Sequence, residues 1–365
     1  MDSAPYSPFP FASGAAAVGT GPYRFARFAL GERFEVTRND AWDAGPPEPW
    51  RRVALLHLPQ EAARLAALRS GDVDLIEQVP TGEAAALARG GDPALALSSA
   101  PGLRHVFLFL DGARERAPGV TDLAGAPIPN PLRDPRVRRA LSLAVNREAI
   151  VSRVMGGFAV ASGQLVPEGV LGHDPSLRPD PFDPDRARAL LAEAGHPAGF
   201  ALALAGPTDR YVNDEAVLQA VAQGWSRAGL RVRVEAQPSA VYFPRAARGE
   251  VAAGMLGWGS ASGEADGPLA AFVATADPAR GLGTSNRSGY SDARVDALLA
   301  AAFRSPDPAE REALYVRATR IAVADDAALL PLHFQANLWA TRRGLAYEAR
   351  RDERTVATGL RPVVA

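Results

Sequence analysis

The sequence predicts an α/β protein with two lobes, one of them built on a parallel, doubly wound sheet. Its 365 residues are 47% hydrophobic and 22% charged, which is enough to bury a large core and to form two lobes. Strand-length apolar runs alternate with helix-length segments over residues 200–258, and this βαβαβ order is typical of a parallel sheet covered by helices. A shorter βαβ pattern covers residues 53–76.

Before residue 126 the sequence predicts short elements joined by turns. Residues 1–18 contain three prolines and no hydrophobic period, so we expect a loose tail. Residues 23–28 and 33–37 alternate apolar and polar side chains around a turn, which predicts a β-hairpin. The later elements of this part are a strand at 53–58, a helix at 61–68, a strand at 73–76, a short helix near 83–88 and a strand at 105–110.

Two helices are predicted to begin at an aspartate followed by proline. Asp134 precedes Pro135 and Asp183 precedes Pro184, so each aspartate can cap a helix that has proline at its first position. Apolar residues at helical spacing follow the first start, within 137–144. The remaining elements are helices over 214–228, 239–248, 292–303 and 308–323, with strands at 200–205, 231–235, 255–258, 329–334 and 336–340.

The composition excludes several kinds of chemistry. The 41 acidic and 40 basic residues give a formal net charge of -1, so we expect no nucleic-acid partner. Every basic residue is arginine, which excludes a Schiff base on lysine, and the absence of cysteine excludes disulfides and thiol nucleophiles. The five histidines lack the spacing of metal ligands. We therefore expect no metal, no cofactor and no catalytic residue.

The sequence contains no transmembrane or export signal. It has no apolar stretch of about 18 residues, and its first residues lack a basic segment followed by an apolar one. We therefore expect no direct insertion into a membrane, and the chain as given shows no signal peptide.

A polar, glycine-rich loop follows the predicted strand 255–258. The carboxyl end of a parallel strand is where open α/β sheets bind ligands. Trp258 would provide a flat apolar wall there, and Glu264 and Asp266 are placed to meet a cationic or hydroxylated solute. The alternative is that Trp258 belongs to the core and the loop is a surface connection. The loop does not fit the G-x-S-x-G pattern, which disfavours a serine hydrolase.

A second strand-to-helix junction carries Arg210 and Tyr211, after the strand 200–205. An arginine fork can hold a carboxylate, and the start of the following helix adds partial positive charge. The alternative for a single arginine is an ordinary solvated surface side chain.

A series of short motifs runs through about residues 19–361. They are Gly19–Tyr23, Leu68–Asp74, Asp134–Arg147, Ala189–Gly195, Gly257–Trp258, Tyr290–Asp292 with Asp296, and Ile321–Leu332. Each motif alone is weak, but in this order and spacing the chain resembles the family 5 extracellular solute-binding proteins of ABC importers, the dipeptide, oligopeptide and nickel type.

The resemblance implies a two-lobed clamshell of the type II periplasmic binding fold. One lobe would comprise residues 19–126 completed by 330–365, and the other residues 127–329. A small solute would bind between the lobes of a monomer and pass to a membrane permease, and the location would be periplasmic. Family members normally begin with a signal peptide and a further region, whereas only eighteen residues precede the first motif. We therefore expect one of two alternatives: the start of the chain has been assigned too late, or the chain is an N-terminally truncated version.

The resemblance also bears on specificity. In peptide-binding members an aspartate three residues after the cleft tryptophan holds the peptide's amino group, but this position is Ala261 here. Arg210 resembles the arginine that takes the peptide carboxylate in dipeptide-binding members. Unless Glu264 or Asp266 takes over the contact with the amino group, we expect a small polar organic solute, such as an anionic one, or a modified peptide in preference to a free dipeptide. The expected ligand-binding residues are Arg210, Tyr211, Trp258, Glu264, Asp266 and Asn286.

Two other hypotheses belong to different classes. The chain would be a truncated structural remnant or interaction protein if it binds no solute, and exposed apolar surface would then favour self-association. An enzyme would need an unrecognised acidic site such as Glu264 with Asp266.

Overall fold

The computed structural model describes residues 19–363, in two compact units. The first unit comprises the described residues up to 100, with 337–350 and those from 354 onward. The second comprises residues 101–336 and 351–353. The tail expected over residues 1–18 lies outside the described residues, and the lobe boundaries near 127 and 330 stay a prediction.

The first unit begins with an antiparallel sheet of three strands. Its strands are β1 (Tyr23–Ala29), β2 (Arg33–Arg38) and β3 (Arg52–Leu56), in that order. The pairing of β1 with β2 confirms the predicted hairpin. The other elements of this unit are α1 (Glu61–Ser70), β4 (Leu75–Glu77), α2 (Thr81–Ala88), β11 (Leu345–Tyr347) and β12 (Leu360–Pro362).

The prediction of a βαβ unit with parallel strands over residues 53–76 is wrong. The strand β3 pairs with β2, and β4 pairs antiparallel with residues 339–341 of a strand that arrives much later in the chain. A strand, a helix and a second strand do form here, but local periodicity does not say which strands pair.

The second unit contains a mixed sheet. Its strands are β6 (Ala159–Ala161), β7 (Ala201–Pro207), β8 (Arg231–Gln237), β9 (Ala253–Gly259), and the parts within this unit of β5 (Leu95–Leu110) and β10 (Leu329–Arg342). The order is β10, β5, β9, β7, β8, with β6 paired to β10. The strand β7 is parallel to both β8 and β9, which confirms the predicted βαβαβ core, whereas β5 is antiparallel to β9.

The second unit also contains α-helices, numbered in chain order. They are α3 (Pro135–Leu143), α4 (Arg147–Ala149), α5 (Pro184–Glu193), α6 (Asp214–Arg227), α7 (Ser239–Ala247), α8 (Asp266–Pro268), α9 (Ala293–Ala302) and α10 (Pro308–Thr319). Asp134 and Asp183 accept hydrogen bonds from the backbone N–H of Arg136 and Arg186, both at 2.8 Å, which confirms the two predicted caps. Within residues 19–363 none of the helices is long and apolar enough to cross a membrane.

The sheet of the second unit is covered on both faces. Along β5, Val106, Leu108 and Leu110 belong to one buried cluster, while Phe107 and Phe109 belong to another. Because successive side chains of a strand point to opposite faces, a strand covered on both sides is apolar throughout. The end of β5 that carries Arg104 is therefore the part of this strand available for polar chemistry.

Candidate functional site

Three parallel strands of the second unit end at one edge of the sheet, which we name the carboxyl edge. The strands β7, β8 and β9 end there at Pro207, Gln237 and Gly259. Because β5 is antiparallel to β9 and its Arg104 lies opposite Gly259, the N-terminal end of this part of β5 reaches the same edge. Ligands of open α/β sheets bind at such an edge.

Arg210 and Tyr211 lie in a turn between β7 and α6 that is fixed by one buried carboxylate. The backbone N–H groups of both residues donate to Oδ2 of Asp214, at 3.0 and 3.2 Å. Burial raises the pKa of this aspartate above its ordinary value, against the effect of the backbone N–H groups. The Arg210 guanidinium is exposed, and its Cζ lies 5.5 Å from the centre of the Tyr211 ring. The turn thus presents a cation beside a buried aromatic ring.

The Tyr211 ring packs against β9 at Gly257. A Cβ atom on Gly257 would lie 2.6 Å from Cε1 of Tyr211, so a side chain at this position would displace the ring. The Arg104 side chain lies over Gly259, because a Cβ atom on Gly259 would be 3.6 Å from Nη2 of Arg104. Burial raises the pKa of the Tyr211 phenol, and the positive charges of Arg210 and Arg104 oppose that shift. Both guanidinium groups therefore act on one phenol at the carboxyl edge.

Arg104 is a site residue that the sequence reasoning missed. Its guanidinium forms a two-armed contact with Glu353, with Nε to Oε1 at 2.6 Å and Nη2 to Oε2 at 2.7 Å. Its place at the edge depends on the antiparallel pairing of β5 with β9, which no local pattern in the sequence indicates.

Successive residues of a strand face opposite sides of the sheet. Trp258 lies between Gly257 and Gly259 in β9, so its side chain is on the face opposite to Tyr211 and Arg104. Its ring packs edge-on against Phe272, with ring centres 5.3 Å apart, and borders the second buried cluster. The side chain is half-buried. The structure therefore does not bring Trp258 together with Tyr211 on one face, although both lie beside the end of β9.

The two acidic residues after β9 are engaged within the protein. Glu264 accepts from Nη2 and Nε of Arg311, at 2.6 and 3.1 Å, and these hydrogen bonds hold the pKa of its carboxyl below the ordinary value. Asp266 accepts a hydrogen bond from Ser262 Oγ at 2.6 Å. To bind a cationic group of a solute, Glu264 would have to share its carboxylate with Arg311.

Asn286 lies in a separate loop before α9. Its amide nitrogen donates to the carbonyl oxygens of Ala274 and Tyr290, at 3.0 and 2.8 Å. Its Oδ1 accepts from Ser288 Oγ and from the Tyr290 backbone N–H. These contacts use both donors and the oxygen of the side chain, so a solute would bind Asn286 only by replacing one of them.

The described residues form a cavity away from the predicted site residues, and they contain no cluster of metal ligands. An open cavity of about 750 Å³ lies at the start of α3, between Asn130, Arg133 and His196 among others, and has none of the predicted site residues in its lining. Residues 19–363 hold no group of three or more His, Cys, Asp or Glu side chains that could bind a metal ion.

The fold is that of the periplasmic binding proteins. The structure matches the ABC transporter-associated periplasmic binding protein DppA from Helicobacter pylori, in complex with the peptide STSA, with a TM-score of 0.74 and 24% sequence identity. The match covers 94% of this chain and 63% of the DppA chain. This confirms the predicted fold class.

Residues 3–279 match the family model described as bacterial extracellular solute-binding proteins, family 5, middle region, and the chain belongs to this family. Solute-binding proteins are not enzymes, so the expectation that the chain is not an enzyme is confirmed.

The curated relatives are named for different solutes. The glutathione-binding protein GsiB of Pectobacterium atrosepticum is 30% identical over 313 residues, which is 82% of this chain and 55% of that protein. The heme-binding protein A of Haemophilus influenzae is 26% identical over 324 residues, 86% of this chain and 54% of that protein. The chain thus spans about half the length of the curated relatives it matches.

Proposed function

We propose that the chain is the substrate-binding component of an ABC importer. It binds a small polar solute in the periplasm and delivers this solute to a permease in the membrane. The observation that carries this proposal is the turn at Arg210 and Tyr211. Its backbone is fixed by Asp214, and it places an exposed guanidinium beside a buried ring at the carboxyl edge. No carboxylate of the described residues pairs with that guanidinium. Membership of the family supports the role.

The charges at this edge favour an anionic solute. Arg210 offers donors for a carboxylate or another planar anion. Ala261 has no charge for an ammonium group, and Glu264, the nearest acidic residue along the chain, is paired with Arg311. An ammonium buried without a partner would be costly, so a free dipeptide is disfavoured. We propose Arg210 and Tyr211 as the anion contacts. Trp258, on the opposite face of β9, is proposed as a wall beside the end of that strand. Glu264, Asp266 and Asn286 are proposed as contacts that must first leave their present partners.

Replacing Arg210 by alanine is expected to weaken solute binding about tenfold or more, because one charge-assisted hydrogen-bonding group is lost. Isothermal titration calorimetry would measure this with any solute found by thermal shift among organic acids, short peptides and glutathione. The Arg304→Ala variant is a matched control, since Arg304 is exposed and lies after α9. Equal affinities of Arg210→Ala and the wild type would remove Arg210 from the site.

Replacing Trp258 by alanine is expected to lower the affinity by about 1–3 kcal/mol while the fold persists. The half-buried ring leaves part of its surface for a solute, but it also packs on Phe272. The Trp258→Phe variant retains an aromatic ring for that packing and should lose less affinity. If Trp258→Ala unfolds the second unit in a circular-dichroism melt, the residue belongs to the core instead.

A further inference from the structure

A three-residue segment, 351–353, belongs to the second unit, whereas residues 350 and 354 on either side belong to the first. We name it the strap. The Arg351 carbonyl oxygen accepts a hydrogen bond from the Leu103 N–H at 3.1 Å, and Arg351 Nη2 donates to the Glu168 carbonyl oxygen at 2.8 Å. The two-armed contact of Glu353 with Arg104 is a further attachment. The strap is therefore anchored beside the N-terminal end of this part of β5, at the carboxyl edge.

The backbone of Glu353 is held in an unfavourable conformation. Its φ angle is +64°, in the left-handed region that residues with a Cβ atom rarely adopt. Such a conformation persists where other contacts enforce it. The contact that the Glu353 side chain makes is the ion pair with Arg104, which is only partly buried, with 13% of the Arg104 side chain and 33% of the Glu353 side chain exposed.

The two arginines near Tyr211 differ in one respect. The Arg210 guanidinium has no carboxylate partner among the described residues, whereas the Arg104 guanidinium holds one in a two-armed arrangement. Carboxylates of a protein and of a solute offer an arginine the same two oxygen acceptors. The Glu353 carboxylate thus has the chemistry expected of the solute and lies at the same edge of the sheet.

We infer that Glu353 is a tethered carboxylate that occupies Arg104 in place of an acidic group of the solute, so that an anionic solute binds by displacing it and releasing the strap. This inference rests on the proposed function. Glu353 then determines specificity: it excludes weakly held anions from Arg104 and sets the affinity for those that carry a carboxylate.

The test compares the wild type with Glu353→Gln, using succinate as the probe. Glu353→Gln removes the competing charge and keeps the side-chain shape, so succinate should bind about tenfold more tightly. Hydrogen exchange at the Leu103 amide, which the strap protects, should become faster in this variant without succinate, and faster in the wild type when succinate is added. The matched control is Asp180→Asn, which breaks a comparably exposed pair with Arg139 in the same unit and should change neither result.

Two outcomes would overturn the inference. One is unchanged exchange at Leu103 in Glu353→Gln, which would show that the carboxylate does not hold the strap. The other is equal or undetectable succinate affinity in the wild type and Glu353→Gln. If another solute still binds and depends on Arg210 while succinate shows no such difference, the proposed function stands and this inference falls.

Discussion

Acidification from pH 7 to pH 4 is expected to lower the free energy of unfolding by more than about 3 kcal/mol, because the folded chain keeps two histidines uncharged and His333 alone accounts for about that much. His105 on β5 and His333 on β10 are both fully buried. No ring nitrogen of either has a hydrogen-bond partner among the described residues. Burial lowers the pKa of His333 to about 4, and burial, with His333 and then Arg147 nearby, lowers the pKa of His105 well below its ordinary value.

The direction of the effect follows from proton uptake. In the unfolded chain both histidines titrate near their ordinary pKa of about 6.5. Between that value and about 4, the unfolded chain binds protons that the folded chain does not, so acid favours unfolding. Stability from these two groups is complete above about pH 6.5 and is lost as the pH falls towards 4.

Urea unfolding followed by circular dichroism, from pH 7.5 to pH 4, would measure this dependence. His333→Phe removes one titrating group and keeps an aromatic ring, so its unfolding midpoint should depend less on pH. His57→Gln, at an exposed position, should leave the dependence unchanged. An unaltered slope in His333→Phe would contradict the role assigned to His333.

Replacing Gly224 by alanine is expected to destabilise the second unit by about 3 kcal/mol. Gly224 lies on α6 where this helix approaches Ala144, and a Cβ atom there would lie 2.0 Å from the Ala144 carbonyl oxygen. The next residue, Trp225, is fully buried and donates from Nε1 to the Leu141 carbonyl oxygen at 2.9 Å, so α6 cannot easily move away. Since α6 begins at Asp214, its displacement should also weaken solute binding.

The matched control is Gly82→Ala. Gly82 also lies in a helix, α2, but a Cβ atom there would have no neighbour within 4 Å. This change should stabilise the protein by about 0.5–1 kcal/mol, because alanine favours the helix over glycine. Thermal unfolding of both variants checks the pair. If Gly224→Ala is as stable as the wild type, the close approach of α6 to Ala144 does not contribute to the stability of the second unit.

The parts of the fold that depend on short-range sequence could be predicted. The caps at Asp134 and Asp183 need only an acceptor followed by proline, and the parallel core over 200–258 needs only alternating strands and helices. The pairing of β4 could not be predicted, because its partner, residues 339–341, lies far along the chain. Local periodicity specifies which segments form strands but leaves their neighbours undetermined.

The candidate site shows the same division. Arg210 and Tyr211 lie at a strand-to-helix junction that the sequence itself indicates. The pair of Arg104 with Glu353 joins residues 249 positions apart, and the pair of Glu264 with Arg311 joins residues 47 positions apart. Both pairs decide which charges are available to a solute, and both depend on tertiary structure. The sequence therefore predicts where the carboxyl edge of the sheet lies, but it does not predict which charged side chains there are free of a partner within the protein.

Native mass spectrometry of the purified wild-type chain, incubated with a pool of organic acids, short peptides and glutathione, tests the central claim most directly. The proposed function predicts a single added mass per chain, saturable, equal to that of an unmodified acidic solute, and lost in Arg210→Ala but retained in Arg304→Ala. A folded chain that binds no member of the pool, or that binds one equally well after Arg210→Ala, would contradict solute binding at the carboxyl edge.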